Sequence, residues 1–229
     1  KVLNDIRLHY IEYFDYIMNQ KTQKKNSLGL NSCFLDLNNP FELFKIWIKE
    51  AEKKEPNDPN ALSLATANKN GVPSVRIVLL KDVNDEGFVF YTDLESQKSV
   101  ELYENPNASM CFHWKSLLRQ VRVSGKIAFV TDPEADKYFY SRPHGSKIGA
   151  WSSKQSKILT DIKELEKRVD GYKKKFGDTK NIPRPSHWSG WLLKPDSIEF
   201  WLEGANRIHE RLRYIKSKNK SWTKELLYP

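Results

Sequence analysis

Residues 141–156 combine side chains that could hold an anion. The stretch reads S-R-P-H-G-S-K-I-G-A-W-S-S-K-Q-S, and it carries Arg142, His144, Lys147 and Lys154 among short hydroxyl and amide donors. A phosphate is recognised by fixed positive charge together with several hydrogen-bond donors, so this composition is typical of a phosphate site. The stretch has no long apolar run, and we expect a loop. The alternative is a solvated Ser/Lys loop that binds nothing.

A second set of cationic residues lies between residues 76 and 98. Arg76 and Lys81 stand near the two ends of a predicted strand, and charges rarely point into a barrel unpaired. Ser96 and Lys98 follow at the predicted start of a helix, where free backbone N–H groups attract anions. Together they predict an anion site. The alternatives are charges on an edge strand for Arg76 and Lys81 and a plain helix cap for Ser96.

A third set of basic residues lies near the end of the chain. If residues 206–216 form a strand, alternation places Arg207, His209, Arg211 and Arg213 on one side of it. These groups repel one another unless an anion lies beside them, which favours a binding role. The alternative is a water-facing strand of a basic protein.

The elements that would position these residues are mainly short strands with helices inserted between them. Apolar spacing, caps and turn residues predict helices at 40–54, 94–104, 131–142 and 157–176 and strands at 62–67, 73–81, 88–92, 108–114, 117–130, 197–201, 206–216 and 222–227. The hairpins make the strands mostly antiparallel. A mainly β fold with peripheral helices, built as a small barrel, fits this order best.

Composition excludes several classes of protein. The 229 residues include 38 Lys and Arg against 29 Asp and Glu, a net charge of +9, which suits an anionic ligand, a nucleic acid or a membrane surface. Cys33 and Cys111 have no metal-ligand spacing, so we expect no metal and a reducing, by default cytoplasmic, compartment. No apolar stretch is long enough to span a bilayer. Because no known catalytic motif appears, we expect a phosphate-bearing cofactor to carry the difficult step.

Several motifs resemble the pyridoxine/pyridoxamine 5′-phosphate oxidase family. They are R-I-V-L-L-K at 76–81, F-Y-T at 90–92, R-Q-V at 119–121, K-Y-F-x-S-R-P at 137–143, S-K-I-G-A-W at 146–151 with S-K-Q-S at 153–156, and I-E-F-W at 198–201 with R-I-H-E-R at 207–211. We therefore expect residues 39–229 to form one oxidase domain. R-L-H-Y at 7–10 is similar to the family's N-terminal motif, so residues 1–38 would be a partly flexible segment that could close over the substrate.

The resemblance implies an FMN-binding split β-barrel that works as a homodimer with FMN at the subunit interface. The family oxidises pyridoxamine or pyridoxine 5′-phosphate to pyridoxal 5′-phosphate in vitamin B6 biosynthesis and salvage. A hydride moves from the substrate's C4′ to the flavin, dioxygen reoxidises the flavin, and hydrogen peroxide leaves. The implied partners are thus a small phosphorylated substrate and dioxygen, with neither nucleic acid nor membrane.

Motif by motif, the resemblance also implies the site residues. Arg207 and His209 are the catalytic candidates over the pyridine ring, where Arg207 would stabilise developing charge and His209 could relay a proton. FMN would contact Arg76, Ile77, Val78, Leu79, Leu80, Lys81, Tyr91, Thr92, Ser96, Lys98, Gln120, Gln155, Ser156, Trp201 and Arg211. The substrate would contact Lys81, Tyr138, Arg142, Ser146, Arg207, His209, Arg7 and Tyr10.

Three positions depart from the family's pattern. Gln97 stands where the family has an arginine in S-R-K, Ser189 replaces a glycine of W-G-G, and Leu226 replaces the arginine of a C-terminal R-L-x-P. The first change predicts somewhat weaker FMN binding unless another cation, such as Lys154, compensates.

Two other functions remain open from sequence. One is a flavin-binding relative that has lost or changed the reaction, and the other is a basic barrel that binds single-stranded nucleic acid. Flavin absorbance of the purified protein would separate the last from the others.

Overall fold

The structure is a computed structural model that describes residues 25–229, so Arg7 and Tyr10 lie outside the described residues. Its strands are β1 Ala61–Ala67, β2 Pro73–Leu79, β3 Asp82–Val83, β4 Phe88–Asp93, β5 Asn107–Trp114, β6 Arg119–Phe129, β7 Trp188–Leu202, β8 Glu210–Lys216 and β9 Trp222–Leu226. Its helices are α1 Pro40–Lys54, α2 Gln97–Glu104, α3 Asp132–Ser141, α4 His144–Ser152 and α5 Ile162–Phe176. The mainly β class predicted from sequence is confirmed.

The strands follow the order β2-β1-β5-β6-β7-β4-β3, and β8 pairs with both β7 and β9. The chain divides into two compact units. Unit A holds the described residues up to 59 with 111–123 and 196–229, and unit B holds 60–110 and 124–195. Strands β5, β6 and β7 each contribute residues to both units. Among the described residues, no helix is long and apolar enough to cross a membrane.

Unit A is built around aromatic side chains. Helix α1 begins where the Asn39 side chain accepts a hydrogen bond from the Phe41 amide, with Pro40 at the first helical position. Its buried face places the Phe44 ring 5.0 Å from that of Phe112 and the Trp47 ring 5.1 Å from that of Phe200. Large buried rings contribute much of the apolar area that stabilises such a unit.

Unit B contains the β1–β2 hairpin and the pairing of β4 with the first part of β7. The hairpin turn uses Gly71 at a φ of 78°, a conformation that glycine adopts without strain. Strand β2 alternates along its length, and Val75 and Ile77 point to solvent with 67% and 64% of their surface exposed. Antiparallel pairing runs from Phe88 opposite Leu193 to Asp93 opposite Trp188.

The structure corrects two predictions of local structure. Residues 141–156 are not a continuous loop, because α4 forms within them and buries Lys147, Ile148 and Ser152. Residues 206–216 are not one strand: a 3-10 turn covers Ala205–Arg207 and β8 begins only at Glu210. Arg207 and His209 therefore precede the strand rather than alternating along it.

Candidate active site

A cleft of about 760 Å³ opens within unit B. Strand β2, the end of β4, the start of α2 and the segments around α3 and α4 provide its walls. The predicted site residues that line it are Arg76, Ile77, Val78, Leu79, Lys81, Tyr91, Thr92, Lys98, Tyr138, Arg142, Ser146, Gln155 and Ser156. The structure thus brings together predicted site residues that lie far apart in the chain.

Arg76 is held by what we call the polar cluster, formed by Thr66, Ser74, Arg76, Gln97 and Glu101. One terminal nitrogen of Arg76, Nη1, donates to the Leu64 carbonyl at 3.2 Å and to the Thr66 hydroxyl. The other, Nη2, donates to the Ser74 hydroxyl and lies 3.3 Å from Glu101 Oε2. These bonds use all four N–H groups of the two terminal nitrogens, so Arg76 is rigidly oriented.

Glu101 supplies the negative charge of the polar cluster. Its side chain accepts hydrogen bonds from Ser74 Oγ at 2.6 Å and from Gln97 Nε2 at 2.9 Å, and a further one from Thr66. Burial opposes its ionisation, but these hydrogen bonds and the charge of Arg76 outweigh burial and lower the pKa of Glu101 to about 2. The carboxylate is therefore ionised at every working pH.

Lys98, Thr92, Ser96 and Gln155 form what we call the lysine site. Lys98 Nζ lies 2.7 Å from Gln155 Oε1, 3.1 Å from Thr92 Oγ1 and 3.1 Å from Ser96 Oγ. Only 7% of the residue is exposed. Burial, and then the charge of nearby Arg76, lowers the pKa of Lys98 to about 8 against the opposing charges of Asp93 and Glu101. A buried ammonium held by neutral oxygens favours binding of an anion.

Two predicted cofactor residues that belong to unit B, Ser96 and Leu80, are not in the cleft lining. Ser96 is buried and precedes α2, but its hydroxyl donates to the Asp93 carbonyl at 2.7 Å instead of capping the helix. Ser96 therefore contributes to the site through its hydroxyl oxygen, which accepts a hydrogen bond from Lys98 Nζ. Leu80 is 6% exposed, and its backbone N–H donates to the Asn60 carbonyl at 2.8 Å.

Arg142 is held by what we call the aromatic cluster, formed by Tyr91, Tyr138, Arg142 and Trp188. The Tyr91 ring stacks on Tyr138 at 4.2 Å and lies nearly parallel to Trp188 at 5.3 Å. The Arg142 guanidinium lies 4.7 Å from the centre of the Trp188 ring, a favourable cation–π distance. Gly190 makes room for this stack, because a Cβ there would come within 2.7 Å of the Tyr91 ring.

Among the cations that line the cleft, Arg142 is the one with a buried donor that lacks a partner in the described part of the chain. Its Nη1 is buried and forms no hydrogen bond to any described residue. Burial lowers the pKa of Arg142, which the guanidinium of an arginine tolerates without losing its charge. A buried, unsatisfied donor on a charged group is costly, so this position is suited to an anionic ligand.

Arg184 connects α3 and β7, two of the elements that carry the aromatic cluster. Its Nε donates to Asp136 at 2.6 Å and its Nη2 to Asp132 at 2.7 Å, both on α3. Its Nη1 donates to the Trp188 carbonyl at 2.8 Å, at the first residue of β7. A capping box between Thr131 and Glu134 fixes the start of the same helix.

The remaining cationic residues of 141–156 do not line the cleft. Lys147 is 6% exposed, and its Nζ lies 3.4 Å from the Lys180 carbonyl. Lys154 Nζ lies 3.9 Å from Glu164 Oε1 on the surface. The suggestion that Lys154 replaces the missing family arginine is therefore not supported. Gln97 lines the cleft but donates to Glu101.

Five predicted site residues belong to unit A: Gln120, Trp201, Arg207, His209 and Arg211. The His209 ring packs 4.7 Å from Trp201, and its Nδ1 accepts a hydrogen bond from the Gly204 N–H at 3.2 Å. That bond leaves the ring proton on Nε2 in the neutral form. Arg211 donates to Glu199 at 2.8 Å, whereas Arg207 is exposed at a φ of 64°.

Trp188 and Glu101 are among the residues that shape the site and were missed from sequence. Trp188 was noted only within a W-S-G triplet, and Glu101 is one of several acidic residues around α2. The useful signal for Glu101 was its i, i+4 spacing from Gln97 on a short helix. Among residues 25–229, no group of three or more His, Cys, Asp or Glu could hold a metal ion.

Comparison with known families gives two matches that cover most of the chain. Residues 48–176 match the family model described as pyridoxamine 5′-phosphate oxidase. Residues 188–229 match the one described as the pyridoxine 5′-phosphate oxidase C-terminal dimerisation region.

Similar proteins carry the same family name. A pyridoxine/pyridoxamine 5′-phosphate oxidase of Pelagibacter ubique is 58% identical over 90% of this chain and 99% of its own length. One of Agrobacterium fabrum is 51% identical over 88% of this chain and 98% of its own.

Two solved structures share the fold. PhzG from Burkholderia lata, in complex with tetrahydrophenazine-1-carboxylic acid, superposes with a TM-score of 0.81 at 30% identity and covers 87% of this chain and 97% of its own. An FMN-binding protein of Nostoc punctiforme, related to pyridoxamine 5′-phosphate oxidase, superposes with a TM-score of 0.66 at 16% identity, covering 83% and 98%. The predicted split-barrel fold class is thereby confirmed.

Proposed function

The chain belongs to the pyridoxamine 5′-phosphate oxidase family, and we propose that it oxidises pyridoxamine or pyridoxine 5′-phosphate to pyridoxal 5′-phosphate with FMN. The observation that carries the proposal is the cleft of unit B, which is lined both by Arg76 and Lys98 and by Arg142. These cations are held by different sets of neighbours. The reaction brings together two phosphate esters, one on the cofactor and one on the substrate, so two cationic positions are what it requires.

The residues of the lysine site and the polar cluster fit the phosphate of FMN. Lys98 offers a buried ammonium, and Arg76 offers a guanidinium fixed in orientation. A cleft of about 760 Å³ lies within the range of cofactor sites. Consecutive residues of β2 from Ser74 to Leu79 line the same cleft, so the strand offers an extended edge along which a flat ring system could lie. FMN, when bound, supplies a two-electron acceptor for the hydride.

The aromatic cluster fits the substrate's phosphate. Arg142 presents a buried donor without a partner, and Lys81, Tyr138 and Ser146 line the cleft with it. We propose that these four residues fix the phosphate and thereby orient the carbon that loses the hydride. Burial raises the pKa of Tyr91 to about 12, so its phenol stays protonated within the aromatic cluster.

Arg207 and His209 are proposed to contact the pyridine ring. The support is the motif R-I-H-E-R within the region that matches the family's C-terminal model. His209 carries its proton on Nε2, since Nδ1 accepts from Gly204, and can act there as a donor. Gly204 must be glycine for this turn to close, because a Cβ would lie 1.8 Å from the Ile208 carbonyl oxygen.

We also propose that the enzyme is a homodimer with FMN at the subunit interface and dioxygen as the final acceptor. The match of residues 188–229 to a dimerisation region supports the dimer. A second support is the exposed apolar side of β2, with Val75 and Ile77, on a strand that also lines the cleft. Exposed apolar patches of this kind commonly mark association surfaces.

The test uses the full chain, purified and reconstituted with FMN. We expect flavin absorbance, bleaching by pyridoxamine 5′-phosphate without oxygen, and hydrogen peroxide release when oxygen is admitted. A protein that retains no flavin, cannot be reconstituted and instead binds single-stranded nucleic acid would contradict the proposal. A reconstituted flavoprotein that the substrate does not bleach would indicate a relative with a changed reaction.

A further inference from the structure

Glu101 places a negative charge directly beside the cations that are proposed to bind FMN. It is 7% exposed and is not among the residues that line the cleft. Its Oε2 lies 3.3 Å from Arg76 Nη2. Charge alone would make such a carboxylate unfavourable for an anion site, since like charges repel strongly where little water intervenes.

The hydrogen-bond directions show how closely Glu101 engages the lining. The Thr66 and Ser74 hydroxyls each accept from Arg76 and each donate to Glu101. A hydroxyl has a single proton, so the proton of Ser74 is committed to the carboxylate. Gln97, another lining residue, donates to the other carboxylate oxygen at 2.9 Å. Ser74, Arg76 and Gln97, which line the cleft, therefore each direct a donor towards Glu101.

We propose that Glu101 is an internal counter-anion that limits the affinity of the cleft for a phosphate ester. It competes with the ligand for the charge of Arg76 and for the proton of Ser74. The inference rests on the proposed function, because it takes FMN as the phosphate ester. It assigns an affinity-determining role to a residue that does not touch the ligand.

Glu101 does this by two physical effects that point the same way. Its charge reduces the positive potential felt by an incoming phosphate. Its hydrogen bonds hold the donors of the polar cluster in an arrangement that is already satisfied, so a ligand must displace a partner to gain one. The low pKa of Glu101 means that neither effect is relieved by a change of pH in the working range.

The test compares FMN with riboflavin, which has the same ring but no phosphate. Glu101→Gln removes the charge and keeps the size of the side chain. We expect the apoprotein of this variant to bind FMN about tenfold more tightly, with riboflavin binding changed by less than about twofold. Flavin fluorescence titration measures both dissociation constants.

The matched control is Glu104→Gln, at the exposed end of the same helix. It removes one negative charge from α2, and we expect FMN and riboflavin affinities to change by less than about twofold. If Glu101→Gln does not fold, Glu101→Met is the second variant. It removes the charge and the hydrogen-bond acceptors of the carboxylate, and we again expect tighter binding of FMN relative to riboflavin.

The outcomes separate the two proposals. Unchanged or weaker FMN binding relative to riboflavin in the folded variant would overturn the role of Glu101 and leave the oxidase proposal standing. If the native chain binds no flavin, the oxidase proposal fails and the inference fails with it.

Discussion

Arg76 and Arg142 line the same cleft but are held in opposite ways. Arg76 has a carboxylate partner and directs both terminal nitrogens to oxygens of the protein. Arg142 forms no ion pair with any described residue, lies over the Trp188 ring and leaves Nη1 without a partner. One arginine is satisfied before a ligand arrives, and the other is not.

The difference shows where ligand binding gains most. A ligand oxygen at Arg76 replaces existing hydrogen bonds, so the net gain is small. At Arg142 the donor is already desolvated in the folded protein and has no partner to give up. Nearly the whole free energy of a charged hydrogen bond can therefore contribute to ligand binding. We therefore expect the substrate to depend on Arg142 more strongly than FMN depends on either cation near it.

Replacing Arg142 should have the largest effect. For Arg142→Met we expect kcat/KM with pyridoxamine 5′-phosphate to fall about 1000-fold, since a desolvated charged hydrogen bond is lost. FMN affinity should change by less than about threefold. Steady-state kinetics and flavin titration measure the two quantities.

The control is Lys137→Met, which removes an exposed cation of α3 and should leave kcat/KM within about twofold. The comparison between the two arginines would fail if Arg142→Met weakened FMN binding as much as it weakened turnover. It would also fail if turnover survived the change.

Replacing Lys98 should have a smaller effect, on the cofactor. For Lys98→Gln we expect FMN to bind about 30-fold more weakly, because one buried charge is lost while Arg76 remains. Riboflavin binding should be nearly unchanged. An equal loss for both flavins would show that Lys98 shapes the ring site rather than holding the phosphate.

The smallest effect is a pH dependence of FMN binding. The pKa of Lys98 is about 8 rather than 10.5, so its ammonium deprotonates above about pH 8 in the free protein. FMN affinity should then fall with rising pH, by about fivefold between pH 8 and pH 9, as the protonated fraction of Lys98 decreases. No such fall should occur in Lys98→Gln.

The stability of the apoprotein should change in the opposite direction. Between about pH 8 and 10.5 the unfolded chain holds a proton on Lys98 that the folded chain has released. The contribution of Lys98 to the free energy of unfolding therefore rises with pH across this window. Thermal unfolding of native and Lys98→Gln apoprotein at pH 7.5 and 9.5 would measure the difference.

Sequence reasoning was strongest where local signals and motifs agreed. The helix predicted at 40–54 begins at Pro40 with Asn39 as its cap, and the strand predicted at 73–81 contains β2, which carries Arg76. Sequence reasoning was weakest where composition hid the pattern. Helix α4 has few apolar positions and is rich in Ser, Gly and Lys, so its sequence shows no helical periodicity. The helix that buries Ile148 was therefore not predicted.

Residues 206–216 misled for a different reason. Regular spacing of basic residues imitated a strand, but Asn206 and Arg207 adopt φ values of 56° and 64°. A strand cannot continue through residues with these φ values. The spacing of the basic residues gives no indication of them. Glu101 was missed because its partners, Thr66 and Ser74, come from another hairpin, which only tertiary structure brings to α2.

Arg184 has a consequence for how two walls of the cleft unfold. By joining Asp132 and Asp136 to the Trp188 carbonyl, it ties the first turns of a helix to the first residue of a strand. Segments linked in this way tend to unfold together rather than fray separately. The backbone amides of α3 and of the start of β7 should therefore exchange with deuterium at matching rates, and Arg184→Leu should uncouple them.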